Sequence, residues 1–187
     1  MITKNFKNWA QAISTMYGDL HSANFDINLP YFKSTSGNMY NNIHIQAGTN
    51  YANMGVQPLV FCPDNTLTYS SAQYYQGNSR TSLWVGTSTA NETEDDFEIT
   101  PITSGLSSTA FTMNRTISDG KVTLQFARTL KNTSDAPITI NEVALLHTCP
   151  PQYYHTVAMY LFDRRVLPEP ITLEPNEEHT FSMVYEF

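Results

Sequence analysis

Charged residues are scarce in this chain of 187 residues: they make up 14% of it, against 41% hydrophobic residues. A chain of this composition has too little charge to be kept unfolded by self-repulsion, so a folded domain is expected. Positive charge is the scarcer sign, with 10 Lys and Arg against 17 Asp and Glu and a net charge of −7. No basic cluster exceeds Arg164-Arg165. Phosphate contacts need a basic face, so direct binding of nucleic acid is not expected.

Long apolar runs are also missing. No stretch approaches the ~20 apolar residues that a membrane-spanning helix needs. The first residues, MITKNFKNWAQAIS, have no apolar core of a signal peptide, so we expect synthesis in the cytoplasm and no membrane partner. The two cysteines, Cys62 and Cys149, lie far apart and are expected to be free thiols.

The common catalytic and nucleotide-binding motifs are absent as well, among them G-x-S-x-G, H-E-x-x-H and the P-loop. The five histidines are scattered, and the acidic run over residues 92–98 has none of the glycine spacing of an EF-hand loop. We interpret that run as a solvated loop. The sequence therefore predicts no catalytic residue, no bound metal and no cofactor, and a protein that is not an enzyme.

The patterns that are present favour an all-β protein. Residues 3–17 have apolar side chains near helical spacing and predict a short helix, and residues 18–79 are rich in Asn, Ser, Tyr and Gly and interrupted by proline. From residue 80 onward short alternating runs are separated by turns, with Asp119-Gly120 marking a hairpin. We predict an antiparallel β-sandwich, jelly-roll or Ig-like, over residues 80–187, and an irregular N-terminal extension with assembly contacts over residues 1–79.

A carboxylate interrupts one of the predicted strands. In PITINEVALL the apolar positions change phase between Ile140 and Val143, as they do at a β-bulge, and Glu142 lies at the change. A buried carboxylate is costly unless it is paired. Two explanations remain open: the bulge turns Glu142 outward, or Arg164, after the neighbouring strand TVAMYLF, meets it. We hypothesise that Glu142 and Arg164 form a structural ion pair without a catalytic role.

Several tyrosines fall in loop-like stretches of the sequence. Aromatic side chains in loops anchor protein interfaces, stack on sugars or pack beneath the loop. The candidate interface aromatics are Tyr74, Tyr75, Tyr153 and Tyr154.

The second half of the chain contains an ordered set of elements: WVGT, Asp95-Asp96 followed by Ile99, RTLKNTSDAPITINEVALL, DRRVL and PITLEPNEEHTFSMVYEF. In this order the elements resemble a recurrent domain of bacteriophage virion proteins. The resemblance covers residues 80–187 approximately. Ala144 stands where such domains commonly have Gly. Asn176 stands at a turn position that usually has Gly, and Asn tolerates the left-handed backbone conformation of such a turn.

The resemblance implies a structural protein of a phage head, collar or tail, made in the host cytoplasm and located in the virion. Its implied partners are other virion proteins and further copies of itself, in a trimer or higher ring. The alternative is a tail module that binds a host-surface glycan or receptor through its loop aromatics.

Overall fold

The computed structural model describes residues 1–8, 32–40, 73–74, 80–149 and 156–186. Residues 4–8 are helical; the rest of the helix predicted over residues 3–17 lies outside this part of the chain. The described strands are β1 (Phe32–Lys33), β2 (Met39–Tyr40), β3 (Gln73–Tyr74), β4 (Arg80–Gly86), β5 (Leu106–Ser118), β6 (Lys121–Asn132), β7 (Ile138–Cys149), β8 (Thr156–Leu173) and β9 (Glu178–Glu186). The predicted all-β class is confirmed.

Two antiparallel sheets make up most of the fold. One has four strands in the order β3-β8-β7-β4, and the other has three in the order β5-β6-β9, while β1 and β2 pair separately. None of the helical residues described is part of a helix long and apolar enough to cross a membrane.

A single apolar cluster draws side chains from both sheets. Buried residues of the four-stranded sheet meet buried residues of the three-stranded sheet there. The members are Leu83, Val85, Ile140, Val143, Leu145, Tyr160, Phe162 and Leu173 on the first sheet, and Phe126, Leu130, Phe181 and Met183 on the second. The sandwich, jelly-roll or Ig-like, stays a prediction; the shared cluster agrees with it.

The hairpin marked by Asp119-Gly120 is confirmed. Ser118 pairs with Lys121 across a two-residue turn, and both turn residues have positive φ, 52° and 75°. Such angles define the tight turn that matches the twist of a hairpin, and Asp and Gly accept them readily.

The change of phase in β7 is also confirmed. Ile140 and Val143 both contribute to the shared core although they are three residues apart. The partner of Ile140 is Ile171, whereas the partner of Glu142 is Val166, so the extra residues lie in β8. The bulged part of β8 contains Pro168 and Pro170, which have no N–H to donate to a regular ladder.

Asn132 ties the turn after β6 to the turn before β9. Its buried side-chain amide donates to the carbonyl oxygens of Ala136 and Leu173, each at 2.8 Å. Its backbone N–H donates to Glu177 O and its carbonyl accepts from Asn176 N, both at 2.9 Å. Asn176 has a φ of 69°, so the position usually occupied by Gly is left-handed here.

The first residues of the chain lie along the edge of β8. Ile2 forms an antiparallel bridge with Asp163, and the Thr3 N–H donates to Phe162 O at 3.0 Å. The Thr3 side chain is fully buried. This short segment therefore satisfies backbone groups of β8 that the sheet itself leaves unpaired.

The N-terminal residues also add to the apolar core. The Phe6 ring meets the Phe162 ring edge to face, with 5.5 Å between their centroids. The division into residues 1–79 and 80–187 stays a prediction, and the start of the first part packs directly on the second.

Candidate functional site: a buried ionic cluster

Glu142 is fully buried, and its carboxylate is satisfied by three donors. Oε1 accepts from the backbone N–H groups of Thr100 and Ser88, at 2.9 and 3.2 Å. Oε2 accepts from Arg164 Nε at 2.6 Å. The structure thus brings the hypothesised pair together, and the outward-turned alternative is wrong. Pairing and hydrogen bonding are what a buried carboxylate requires.

Arg164 binds more than its predicted partner. A guanidinium has five N–H donors, and each has an acceptor here. Besides Glu142 Oε2, the acceptors are Asp96 Oδ2 at 2.9 Å, Asn91 O at 3.4 Å, Ser88 Oγ at 3.1 Å and Ala90 O at 3.0 Å. Burial opposes the charged form, but the hydrogen bonds to the two carboxylates raise the pKa of Arg164 above its ordinary value. The cation therefore holds the loop after β4 against β7 and β8.

Gly86 leaves room for the Glu142 carboxylate. It is the last residue of β4 and lies opposite Glu142 in the sheet. A Cβ at this position would overlap the Glu142 carboxylate and would lie 2.5 Å from the carbonyl oxygen of Thr100. The absence of a side chain here is therefore a condition for burying the acid.

Gly86→Ala is expected to lower the free energy of unfolding by about 1–3 kcal/mol, the usual cost of overpacking a filled interior. The added methyl group must displace either the carboxylate or the Thr100 backbone. Denaturant unfolding measures the change, with Thr87→Ala at the exposed neighbouring position as the control, expected within about 0.5 kcal/mol of wild type. Equal stability of the two variants would contradict the close packing around Glu142.

Glu92 connects the cluster to the start of the chain. Its carboxylate accepts from the Met1 amino group at 2.8 Å and from the Val166 N–H at 2.6 Å. Partial burial acts against ionisation, yet these hydrogen bonds and the amino group lower the pKa of Glu92 below its ordinary value.

Asp96 likewise stays ionised, because hydrogen bonds from Thr93 and Arg164 outweigh the effect of burial and lower its pKa. The interpretation of residues 92–98 as a solvated loop is therefore wrong for Glu92 and Asp96.

Two exposed ion pairs continue this contact. Lys4 Nζ lies 2.5 Å from Asp95 Oδ1, and Lys7 Nζ pairs with Glu94. All four side chains are about half exposed or more, so these pairs are screened by salt and each adds little. Lys4 and Lys7 are one helical turn apart, a spacing that could have matched them to the acidic run from sequence alone.

Deleting residues 1–7 is expected to lower the melting temperature, because the deletion removes the contacts of Thr3 and Phe6 with β8 and the ion pairs of Lys4 and Lys7. Lys4→Gln/Lys7→Gln is the matched variant that removes only the exposed charges, and we expect it to have a much smaller effect. Thermal unfolding of both at low and high NaCl measures this. A deletion variant as stable as wild type would show that the segment adds nothing to the fold.

Asp163 forms a second buried carboxylate site beside the first. Its Oδ1 lies 2.9 Å from the Met1 amino group, and its Oδ2 accepts from Tyr185 Oη at 2.8 Å and from Arg165 Nη2 at 3.1 Å. Burial and the nearby Asp163 carboxylate raise the pKa of the Tyr185 hydroxyl, so Tyr185 stays a neutral donor. The acids of both sites are thus compensated by groups of the chain itself.

The remaining candidate residues cannot be placed against this cluster. Tyr75, Tyr153 and Tyr154 lie outside the described residues, and Tyr74 belongs to β3 with its side chain outside them. Cys62 and the Cys149 side chain also lie outside, so the free thiols stay a prediction. Within the described residues no group of three or more His, Cys, Asp or Glu is placed to hold a metal ion.

Comparisons of the chain with family models, with curated proteins and with solved structures give no match.

Proposed function

We propose that this chain is a non-enzymatic structural subunit of a bacteriophage virion, in the head, the collar or the tail. Made in the host cytoplasm, it assembles with other virion proteins and with further copies of itself, as a trimer or a higher ring. The resemblance over residues 80–187 supports a place in a phage virion, and the buried ionic cluster supports a role that is structural and not enzymatic.

The observation that carries the non-enzymatic part is the saturation of the cluster. All five donors of Arg164 meet acceptors of the chain, and the Glu142 carboxylate has three donors. A group that binds or transforms a substrate needs a donor, an acceptor or a proton to offer it. Here the hydrogen bonds of Glu142 and Arg164 join two strands to the loop after β4.

The elements that carry the resemblance also contact each other. Asn132 bonds to the turn that spans Leu173–Glu177, and Glu142 bonds to Arg164 in DRRVL. The shared pattern thus consists of residues that set the register and the turns of the fold. Such a pattern suits a domain that is used as a building unit, since its function depends on keeping its shape.

The test is the number of copies in purified particles and the effect of removing the protein. Quantitative mass spectrometry of virions is expected to find it in many copies, and particles without it are expected to lose integrity on heating or on osmotic shock. A glycan- or receptor-binding module would instead leave particle integrity unchanged and abolish adsorption to the host. Absence of the protein from purified virions would overturn the proposal.

A further inference from the structure

Strand β5 is a long edge of the three-stranded sheet. It has 13 residues, Leu106–Ser118, and among the described residues its strand partner is β6. Residues 114–118 are exposed on both faces, and Ile117 is 63% exposed. The edge therefore presents a row of backbone N–H and C=O groups that can pair with another strand.

The protective devices common on edge strands are nearly absent from β5. Natural edges are usually blunted by Lys, by Pro or by a bulge. β5 contains no proline and a single charged residue, Arg115. Its one bulge lies between Ser108 and Ala110, so the pairing from Ala110 to Ser118 is regular.

Parts of three other described sheet edges are covered or carry charge. The end of β4 is covered, since Ile102 N donates to Val85 O at 3.1 Å. The edge of β8 is covered by residues 1–3. β9 carries Glu178 and Glu186, which oppose close approach in a chain of net charge −7.

We propose that β5 is a contact between two copies of this chain, in which the two β5 strands pair antiparallel about a two-fold axis. The two three-stranded sheets then join into one sheet of six strands. The occupant is a second copy because the strand is complementary to itself. With the axis at Thr112, Phe111 lies opposite Met113 of the second copy, and Arg115 lies opposite Thr109. Arg115 is the one charged residue of β5, so like charges face each other only if the axis passes through Arg115 itself.

This contact does not depend on the proposed place in a virion. A two-fold contact joins copies in pairs, and it can also join two rings into a dihedral assembly. A failure of the virion test therefore leaves the β5 contact untouched, and a failure of the β5 contact leaves the virion proposal untouched.

The test uses the full chain and two matched lysine substitutions. Thr112 and Ser182 both pair with Ala127, from opposite sides, and both are exposed on the same face of the sheet. Thr112→Lys places a charge at the β5 edge and brings two lysines together across the axis. Ser182→Lys places the same charge on β9.

Sedimentation equilibrium over about 1–100 µM is expected to show association of the wild-type chain, a dissociation constant raised about tenfold or more by Thr112→Lys, and little change with Ser182→Lys. Equal weakening by both variants, weakening by Ser182→Lys alone, or a wild type that stays monomeric over this range would overturn the β5 contact.

A cross-linking series decides the matter if Thr112→Lys fails to fold. The four variants Ala110→Cys, Thr112→Cys, Asn114→Cys and Thr116→Cys each place a thiol on the same face of β5, and a thiol near the two-fold axis meets its own copy. Oxidation is expected to give disulfide-linked dimers with a maximum at one of these positions, above the background of the wild type with its two native cysteines. A uniform yield along the series at the wild-type level would overturn the proposal.

Discussion

Glu142→Gln and Arg164→Met are each expected to lower the free energy of unfolding by about 3–5 kcal/mol, because each leaves the other partner buried without its counter-charge. Glu142 is fully buried and the Arg164 side chain is 4% exposed, so water cannot replace the lost partner. A glutamine amide facing Arg164 Nε would set two donors against each other or turn its oxygen away from the Thr100 N–H.

The double variant separates the pair from its surroundings. In a double-mutant cycle by denaturant unfolding, we expect a coupling energy of about 1–3 kcal/mol between Glu142 and Arg164. It stays below the single costs because Arg164 also binds Asp96, and Glu142 also binds two backbone N–H groups. Lys4→Gln and Asp95→Asn give the matched cycle for an exposed pair, where little coupling is expected. Zero coupling between Glu142 and Arg164 would remove the pair as the reason for their burial.

Stability is expected to fall by about 3 kcal/mol as the pH drops from 6.5 to 4, through His147 alone. His147 is buried, its ring stacks on that of Phe162 with 4.8 Å between the centroids, and its Nδ1 lies 2.9 Å from Thr81 Oγ1. Burial lowers the pKa of His147 from 6.5 to about 4. The unfolded chain therefore binds a proton that the folded chain excludes, and stability is complete above pH 6.5 and decreases below it.

Denaturant unfolding at several pH values measures this dependence. His147→Gln removes the imidazole and should flatten the curve between pH 6.5 and 4.5, whereas His179→Gln, at an exposed position in β9, should leave it unchanged. The carboxylates of Glu92 and Asp96 contribute little to the slope between pH 6.5 and about pH 5. Their folded pKa values are lowered from 4.5 and 3.8, so their contribution is lost as the pH falls through those ordinary values and below them, and the His147 effect is compared above about pH 5. An unchanged slope in His147→Gln would place the titration elsewhere.

Much of the β-structure could be predicted because its causes are local. Alternation of apolar side chains with period two marks a strand with one buried face, and Asp119-Gly120 has the backbone freedom that a tight hairpin requires. The same alternation exposed the change of phase in β7, since Ile140 and Val143 cannot share a face in a regular strand. The pairing of Glu142 with Arg164 could be hypothesised for two reasons. The two strands are joined by one loop and are therefore expected to be neighbours, and a buried carboxylate is costly unless it is paired.

The sequence by itself determined the all-β class, the hairpin and the irregularity at Glu142, and it offered Arg164 as one of two explanations for that acid. Only the tertiary structure decided that the acid is buried rather than turned outward. Gly86, opposite Glu142 on β4, and the backbone N–H groups of Ser88 and Thr100 make that site, and they meet Glu142 across 42–56 positions of sequence. Likewise, the run of charge over residues 92–98 predicts a solvated loop, because local charge density predicts exposure. Glu92 and Asp96 instead bind Met1 and Arg164, because folding brings together groups that are 91 and 68 positions apart in the sequence, and the local run of charge carries no information about these two partners.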